Sequence, residues 1–111
     1  MAQGRPLQTV VDAVVDALVI ELQPSKVILF GSAARRDSGP DSDLDLMVIL
    51  PEVSDEHSEA TRAYAALRSV KHRPPVDVLV FSAKDVEEWG DVVGHVINDA
   101  LMEGRVVYDA A

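Results

Sequence analysis

Three short apolar runs, each rich in β-branched residues, constrain the fold of this chain more than any other feature. They span residues 26–30 (KVILF), 43–50 (DLDLMVIL) and 76–81 (VDVLVF). Runs of this length that are flanked by Pro or Gly predict buried strands. Apolar residues recur at three- and four-residue steps in the longer segments around these runs, and this spacing is typical of helices that bury one face.

The order of the predicted elements defines the fold class. Helices are predicted over residues 6–23, 54–70 and 91–103, with a short helical turn at 33–36, a loop at 37–42, a short helix that opens at Ser82 and an edge strand at 105–108. This order indicates an α/β or α+β fold in which helices cover a small mixed β-sheet. With 111 residues, we expect one domain over residues 1–111.

Composition narrows the classes of partner. The chain has 19 Asp and Glu against 10 Lys and Arg, a formal charge of −9, which disfavours direct nucleic-acid binding and suits a basic partner or bound metal cations. Cysteine is absent, which excludes thiolate metal sites. The longest apolar run, residues 46–50, is too short to span a membrane, so we expect a cytoplasmic protein with no membrane contact.

The first candidate binding feature is Gly31-Ser32, between the first predicted strand and the helical turn. Glycine lets a ligand approach the backbone closely. Backbone N–H groups at the start of a helix bind anions, and a serine hydroxyl adds a donor. An ordinary turn with Ser32 as a helix cap is the alternative interpretation.

The second candidate feature is a set of three aspartates. Asp43 and Asp45 are two residues apart on a predicted strand and therefore share a face, where their charges repel. Asp77 lies inside an apolar strand, where a carboxylate is costly unless it is paired or bound to metal. If the two strands are neighbours, the three carboxylates can hold two Mg²⁺ ions. The alternative is that the first two carboxylates are simply hydrated at a strand end.

These residues resemble a known signature. Gly31-Ser32, ten further residues and then Asp43-Leu44-Asp45 are similar to the GS-x10-DxD motif of the polymerase-β-like nucleotidyltransferase superfamily. With Asp77 and the short chain, the sequence resembles the minimal nucleotidyltransferase (MNT) family, the MntA-type antitoxins of HEPN/MNT toxin–antitoxin systems. The resemblance implies a polymerase-β-like nucleotidyltransferase core.

The start of the motif differs from the GSRARG form found in many of these proteins. Arg35 matches the second arginine, whereas Ala33 replaces the first and Arg36 replaces the final glycine. The resemblance implies that Arg35 contacts phosphate in the nucleotide site. A solvated arginine is the alternative at this position.

The resemblance implies ATP-dependent, Mg²⁺-dependent nucleotidyl transfer. In that scheme Asp43 and Asp45 bind both Mg²⁺ ions, and Asp77 binds the catalytic ion and helps deprotonate the acceptor hydroxyl. Gly31 and Ser32 hold the β- and γ-phosphates of the nucleoside triphosphate. Charge neutralisation and in-line positioning contribute most to such reactions.

The same resemblance implies a partner, a HEPN-domain ribonuclease toxin that is neutralised when AMP is transferred to its tyrosine. The last long helix and Trp89 are candidate docking elements, although core packing also explains them. Two other functions stay open. One is an antitoxin that acts by contact alone, and the other is a subunit that modifies a small molecule or RNA.

Overall fold

A four-stranded mixed sheet forms the centre of the molecule in the computed structural model, which describes residues 7–31 and 43–111. The strands are β1 (Lys26–Phe30), β2 (Leu44–Leu50), β3 (Val76–Ser82) and β4 (Arg105–Asp109), in the spatial order β3-β2-β1-β4. β1 is antiparallel to β2 and β4, whereas β2 and β3 are parallel. The predicted mixed sheet and its edge strand near residue 105 are confirmed.

Four helices within the described residues cover the sheet: α1 (Leu7–Leu22), α2 (Glu56–Leu67), α3 (Ala83–Trp89) and α4 (Val96–Glu103). α1 and α2 pack on one face, and α3 and α4 pack on the other. The predicted helical turn at 33–36 and loop at 37–42 lie outside the described residues. Within the described ranges, no helix is both long and apolar enough to cross a membrane.

The larger core lies between the sheet and the pair α1–α2. Alternate residues of β2 point into it, and Leu44 and Leu46 are fully buried there against Leu18 of α1 and Leu67 of α2. The smaller core lies on the opposite face, where five buried residues from β1, β2 and α4 meet: Ile28, Met47, Ile49, Ile97 and Ala100. Because β2 is buried on both faces beyond Asp45, residues 46–50 form a continuous apolar run.

The prediction of a helix over residues 91–103 is wrong in its first five residues. The chain turns at Gly94, whose φ is +93°, and α4 begins only at Val96. His95 precedes the helix and caps it, since its Nδ1 accepts a hydrogen bond from the Ile97 N–H at 3.0 Å. The helical spacing places Val92 and Val93 on one side with Ile97, yet they are 42% and 90% exposed. Their helical spacing therefore did not reflect burial.

The helix predicted over residues 54–70 is shorter at both ends. Asp55, not Ser54, caps α2, because its carboxylate accepts hydrogen bonds from the His57 N–H at 3.1 Å and the Ser58 hydroxyl at 2.7 Å. The Ser58 hydrogen bond is the main cause of a lowered pKa at Asp55. Aspartate and serine are both good caps, so adjacent candidates cannot be separated by propensity alone.

Candidate functional site

The candidate site lies at one end of the sheet, where the last residue of β1 meets the first residues of β2 and β3. The antiparallel register places Phe30 opposite Asp45, and the parallel register places Asp45 beside Asp77. Asp43 immediately precedes β2. The two chain segments that carry the predicted carboxylates are therefore adjacent, which is the condition under which the sequence predicts Asp77 close to Asp43 and Asp45.

Asp45 and Asp77 project to the same face of the sheet. Their neighbours along the strands, Leu44 and Val76, are buried in the larger core, so the alternating side chains point the other way. Residues paired across parallel strands share a face. Asp45 is half-buried, whereas Asp43 and Asp77 are exposed. The carboxylates thus face the side that carries the smaller core and the helices α3 and α4.

The charges in this group act on one another. Burial is the largest influence on Asp45 and raises its pKa, and the negative charges of Asp77 and Asp43 raise the pKa further. No opposing cation among the described residues offsets these influences on Asp45. The fold therefore holds three like charges close enough to interact, an arrangement that a bound cation stabilises.

The backbone of Gly31 closes one side of the site. Its φ is +75°, in the left-handed region that disfavours side chains. A Cβ built on Gly31 would overlap the Oδ2 atom of Asp45 and lie 3.3 Å from its Cγ. A side chain at position 31 would therefore require the Asp45 carboxylate to move from the position it has here. Ser32 and Arg35, and the Ala33 and Arg36 departures from the motif, lie outside the described residues.

The donor set fits a hard divalent cation. Carboxylate oxygens are the preferred ligands of Mg²⁺, which uses few protein ligands together with substrate phosphates. Within residues 7–31 and 43–111, no three His, Cys, Asp or Glu side chains are arranged closely enough to coordinate a metal ion. Asp43 and Asp77 therefore interact electrostatically with Asp45 without forming a closed ligand cage.

One residue that supports the site carries only a packing signal in the sequence. The apolar spacing of α2 predicts Tyr64 on its inner face, yet Tyr64 is 42% exposed, and its hydroxyl accepts a hydrogen bond from the Val78 N–H at 2.9 Å. Val78 directly follows Asp77, and β3 is an edge strand. Tyr64 thus pairs an outward-facing N–H next to a candidate site residue, a contact that no sequence pattern indicates.

Comparison with known families and proteins gives a consistent result. The model of the family described as nucleotidyltransferase domain matches residues 11–107, a range that includes every described candidate site residue. No curated protein matches the chain.

Two solved structures share the fold. One is from Sulfolobus solfataricus and is called a "putative nucleotidyltransferase"; its TM-score is 0.59 at 16% identity, over 99% of this chain and 93% of that chain. The other belongs to a toxin–antitoxin complex crystallised with AMP-PNP; its TM-score is 0.52 at 16% identity, over 86% of this chain and 71% of that chain.

Proposed function

This chain belongs to the nucleotidyltransferase domain family, and from that premise we propose that it is an antitoxin that transfers AMP from ATP to a tyrosine of a HEPN-domain ribonuclease toxin. The observation that carries the proposal is the register that sets Asp45 beside Asp77, next to the positive-φ Gly31. Carboxylates that repel one another beside a glycine lower the stability of the fold. Such an arrangement is expected where a metal-bound triphosphate binds.

In this proposal Asp43 and Asp45 hold two Mg²⁺ ions and Asp77 holds one of the two. Mg²⁺, when bound, neutralises the charge of the triphosphate and of the departing pyrophosphate. The half-buried position of Asp45 and its closeness to both other carboxylates support its role as the shared ligand. Gly31 and Ser32 bind the β- and γ-phosphates, and Arg35 adds a phosphate contact.

The reaction forms one bond and breaks one. The phenolic oxygen of the acceptor tyrosine attacks the α-phosphorus of ATP, and the bond from that phosphorus to the oxygen bridging to the β-phosphate breaks. Pyrophosphate leaves, and Asp77 helps to take up the phenolic proton. Gly31 and the carboxylates orient the triphosphate so that attack and departure are in line.

Two observations support a protein acceptor. The toxin–antitoxin complex that shares the fold was crystallised with an ATP analogue. The chain also carries a formal charge of −9, which favours association with a basic protein and disfavours RNA as the acceptor.

The proposal is tested by incubating the purified protein with Mg²⁺ and the co-expressed toxin. We expect label from [α-³²P]ATP, but not from [γ-³²P]ATP, to appear on a toxin tyrosine. Asp43→Ala, Asp45→Asn and Asp77→Asn should each abolish labelling. Asp16→Asn, at an exposed position on α1, is the matched control and should label normally.

Other outcomes would identify another function. Equal toxin neutralisation by the wild type and by Asp45→Asn, with no labelled toxin, would indicate an antitoxin that acts by contact alone. Label on RNA or on a small molecule instead of protein would indicate a nucleotidyltransferase subunit with a different acceptor. Full labelling by Asp43→Ala would remove Asp43 from the mechanism.

A further inference from the structure

Exposed apolar side chains are concentrated in one segment of the described chain, residues 89–102. Nine large apolar side chains are exposed in the described part of the chain, and five of them lie in or between α3 and α4: Trp89, Val92, Val93, Leu101 and Met102. We call these five residues the α3–α4 surface. Val93 is 90% exposed and Met102 is 77% exposed, so neither contributes to the core. Scattered apolar residues are ordinary on protein surfaces, whereas a concentration of this kind marks an interaction site.

The α3–α4 surface is held in a defined shape. The Asn98 side chain donates a hydrogen bond to the Gly90 carbonyl at 2.8 Å, which ties the loop before α4 to the helix. The rings of Trp89 and His95 stack with centroids 5.0 Å apart. Leu101 packs so closely on Gly90 that a Cβ there would lie 3.1 Å from it. An ordered apolar surface loses less conformational entropy when a partner binds.

A cleft adjoins this surface. It has a volume of about 630 Å³, and Leu101 lines it together with Val86 and Ile49. Its charged lining residues are Glu87, Asp109 and Lys26, and Lys26 lies 4.0 Å from the Asp109 carboxylate. A cleft of this kind accepts an apolar anchor side chain, the feature that dominates many protein interfaces. The cleft and the α3–α4 surface share Leu101 and are therefore adjacent at that residue.

Charge around this region determines the kind of partner. Residues 83–103 carry six carboxylates and one lysine, and the carboxylates are Asp85, Glu87, Glu88, Asp91, Asp99 and Glu103. All except Asp85 are exposed. A second copy of this chain would present the same acidic rim and be repelled, whereas a rim of Lys and Arg would be attracted.

We propose that the α3–α4 surface and its cleft bind a basic partner protein, which inserts an apolar side chain beside Leu101 and pairs Lys or Arg side chains with the acidic rim. This inference deepens the proposed function, because the bound protein is the acceptor of the nucleotidyl group.

The position of the surface fits that role. α3 and α4 cover the same sheet face from which Asp45 and Asp77 project. Asp45 and Ile49 lie four residues apart on β2, which corresponds to roughly 13 Å along the strand. A protein anchored in the cleft therefore lies on the same sheet face as the carboxylates but towards the other end of β2, so it must extend along the strand by at least about that distance to present a hydroxyl.

The test uses the full-length protein and designed amphipathic helical peptides, with Trp89, the only tryptophan, as the fluorescent reporter. One peptide has a leucine face and a Lys/Arg face; a second replaces Lys and Arg with Glu, and a third replaces leucine with serine. We expect binding of the first peptide only. The double variant Val93→Asn/Met102→Gln should weaken it about tenfold or more.

A matched control distinguishes binding at this surface from non-specific hydrophobic binding. Ile20 on α1 is 78% exposed, as much as Met102, but lies on the other side of the sheet, so Ile20→Gln should bind normally. Equal binding of all three peptides, or unchanged binding by the double variant, would overturn the proposal. A wild-type dimer in sedimentation that the double variant abolishes would assign the surface to self-association instead.

Failure of this inference is distinguishable from failure of the proposed function. Asp45→Asn lies outside the α3–α4 surface and should bind the basic peptide as the wild type does, even where nucleotidyl transfer is lost. Conversely, normal toxin labelling by the double variant, with unchanged peptide binding, would leave the chemistry intact and remove the docking surface.

Discussion

The fold disfavours the ionised form of the Asp45 carboxyl. Its pKa is raised, so the folded protein binds this proton more tightly than the unfolded chain does. The stabilising contribution of the protonated form is present below the ordinary pKa of 3.8 and is lost as the pH rises through the raised value. At neutral pH the charged Asp45 therefore lowers stability, a cost of the kind expected at a functional residue.

Replacing Asp45 by asparagine should remove this cost. We expect Asp45→Asn to have a higher melting temperature than the wild type at pH 7, and the difference should shrink towards pH 3, where the wild-type carboxyl is itself protonated. Calorimetry across this pH range measures the effect, with Asp16→Asn as the control. A lower melting temperature for Asp45→Asn at pH 7 would mean that the carboxylate stabilises the fold.

Mg²⁺ should stabilise the wild type through the same group. At a concentration of about ten times its dissociation constant, a bound ion adds about 1.4 kcal/mol. This gain should disappear in Asp45→Asn. In the wild type it should decline on acidification, and because the pKa of Asp45 is raised, the decline should begin at a higher pH than it would for an aspartate with an ordinary pKa. Thermal shift assays with Mg²⁺ against ionic-strength-matched NaCl measure the gain. An equal gain in both proteins would exclude Asp45 as a ligand.

Gly31 and Gly94 form a matched pair for testing the steric role of Gly31 in the site. Both have positive φ, so an alanine at either position costs about 1 to 2 kcal/mol of backbone strain. Gly31→Ala also collides with the Asp45 carboxylate, whereas a Cβ on Gly94 meets no atom within 4 Å. We expect the larger loss of stability, and loss of nucleotidyl transfer, in Gly31→Ala only. Equal losses in chemical denaturation would contradict a steric role for Gly31.

At the scale of elements, α2 supports the edge strand β3 through Tyr64. Tyr64→Phe leaves the Val78 N–H without its partner and should cost about 1 to 2 kcal/mol. Because Asp77 precedes Val78, nucleotidyl transfer should also fall. Tyr108→Phe on β4 is the control, and urea denaturation with parallel activity assays makes the comparison. Unchanged stability in Tyr64→Phe would mean that water replaces the hydroxyl at no cost.

The sequence predicted elements well where apolar period and breaking residues agree. β1 was predicted at its observed bounds because Pro24 and Gly31 flank a uniformly apolar run. The start of α4 was predicted too early because Val92 and Val93 continue its apolar spacing, while the cap by His95 has no strong sequence signature. A periodic pattern identifies an apolar face but does not say what covers it.

The candidate site was predictable in its composition and only partly in its geometry. Asp43, Asp45 and Asp77 were found from their unfavourable positions in or beside apolar strands. Whether Asp77 joins the other two depends on strand order and register, which are non-local, and the parallel pairing of β2 with β3 determines both. The contact between Gly31 and Asp45 also spans two strands, so no local pattern contains it.

At the scale of the whole molecule, charge is unbalanced. With 19 acidic and 10 basic side chains, repulsion opposes the compact state at neutral pH. Raising NaCl should therefore raise the melting temperature by screening this repulsion, while weakening binding of the basic peptide. Thermal denaturation over a series of NaCl concentrations, at a constant sucrose concentration, measures the change in melting temperature. A falling melting temperature would indicate that ion pairs such as Arg62–Glu21 dominate instead.

The two cores are unequal: among the described residues, seventeen buried residues form the core between the sheet and α1–α2, and five form the core between the sheet and α3–α4. Layers with less buried apolar area open at lower free energy. Amide protons of α4 should thus exchange with deuterium sooner than those of α1, through a partial opening that leaves the rest of the molecule intact. A protein bound to α3 and α4 would slow this exchange. The exchange rate of the α4 amide protons would therefore show whether the surface is occupied.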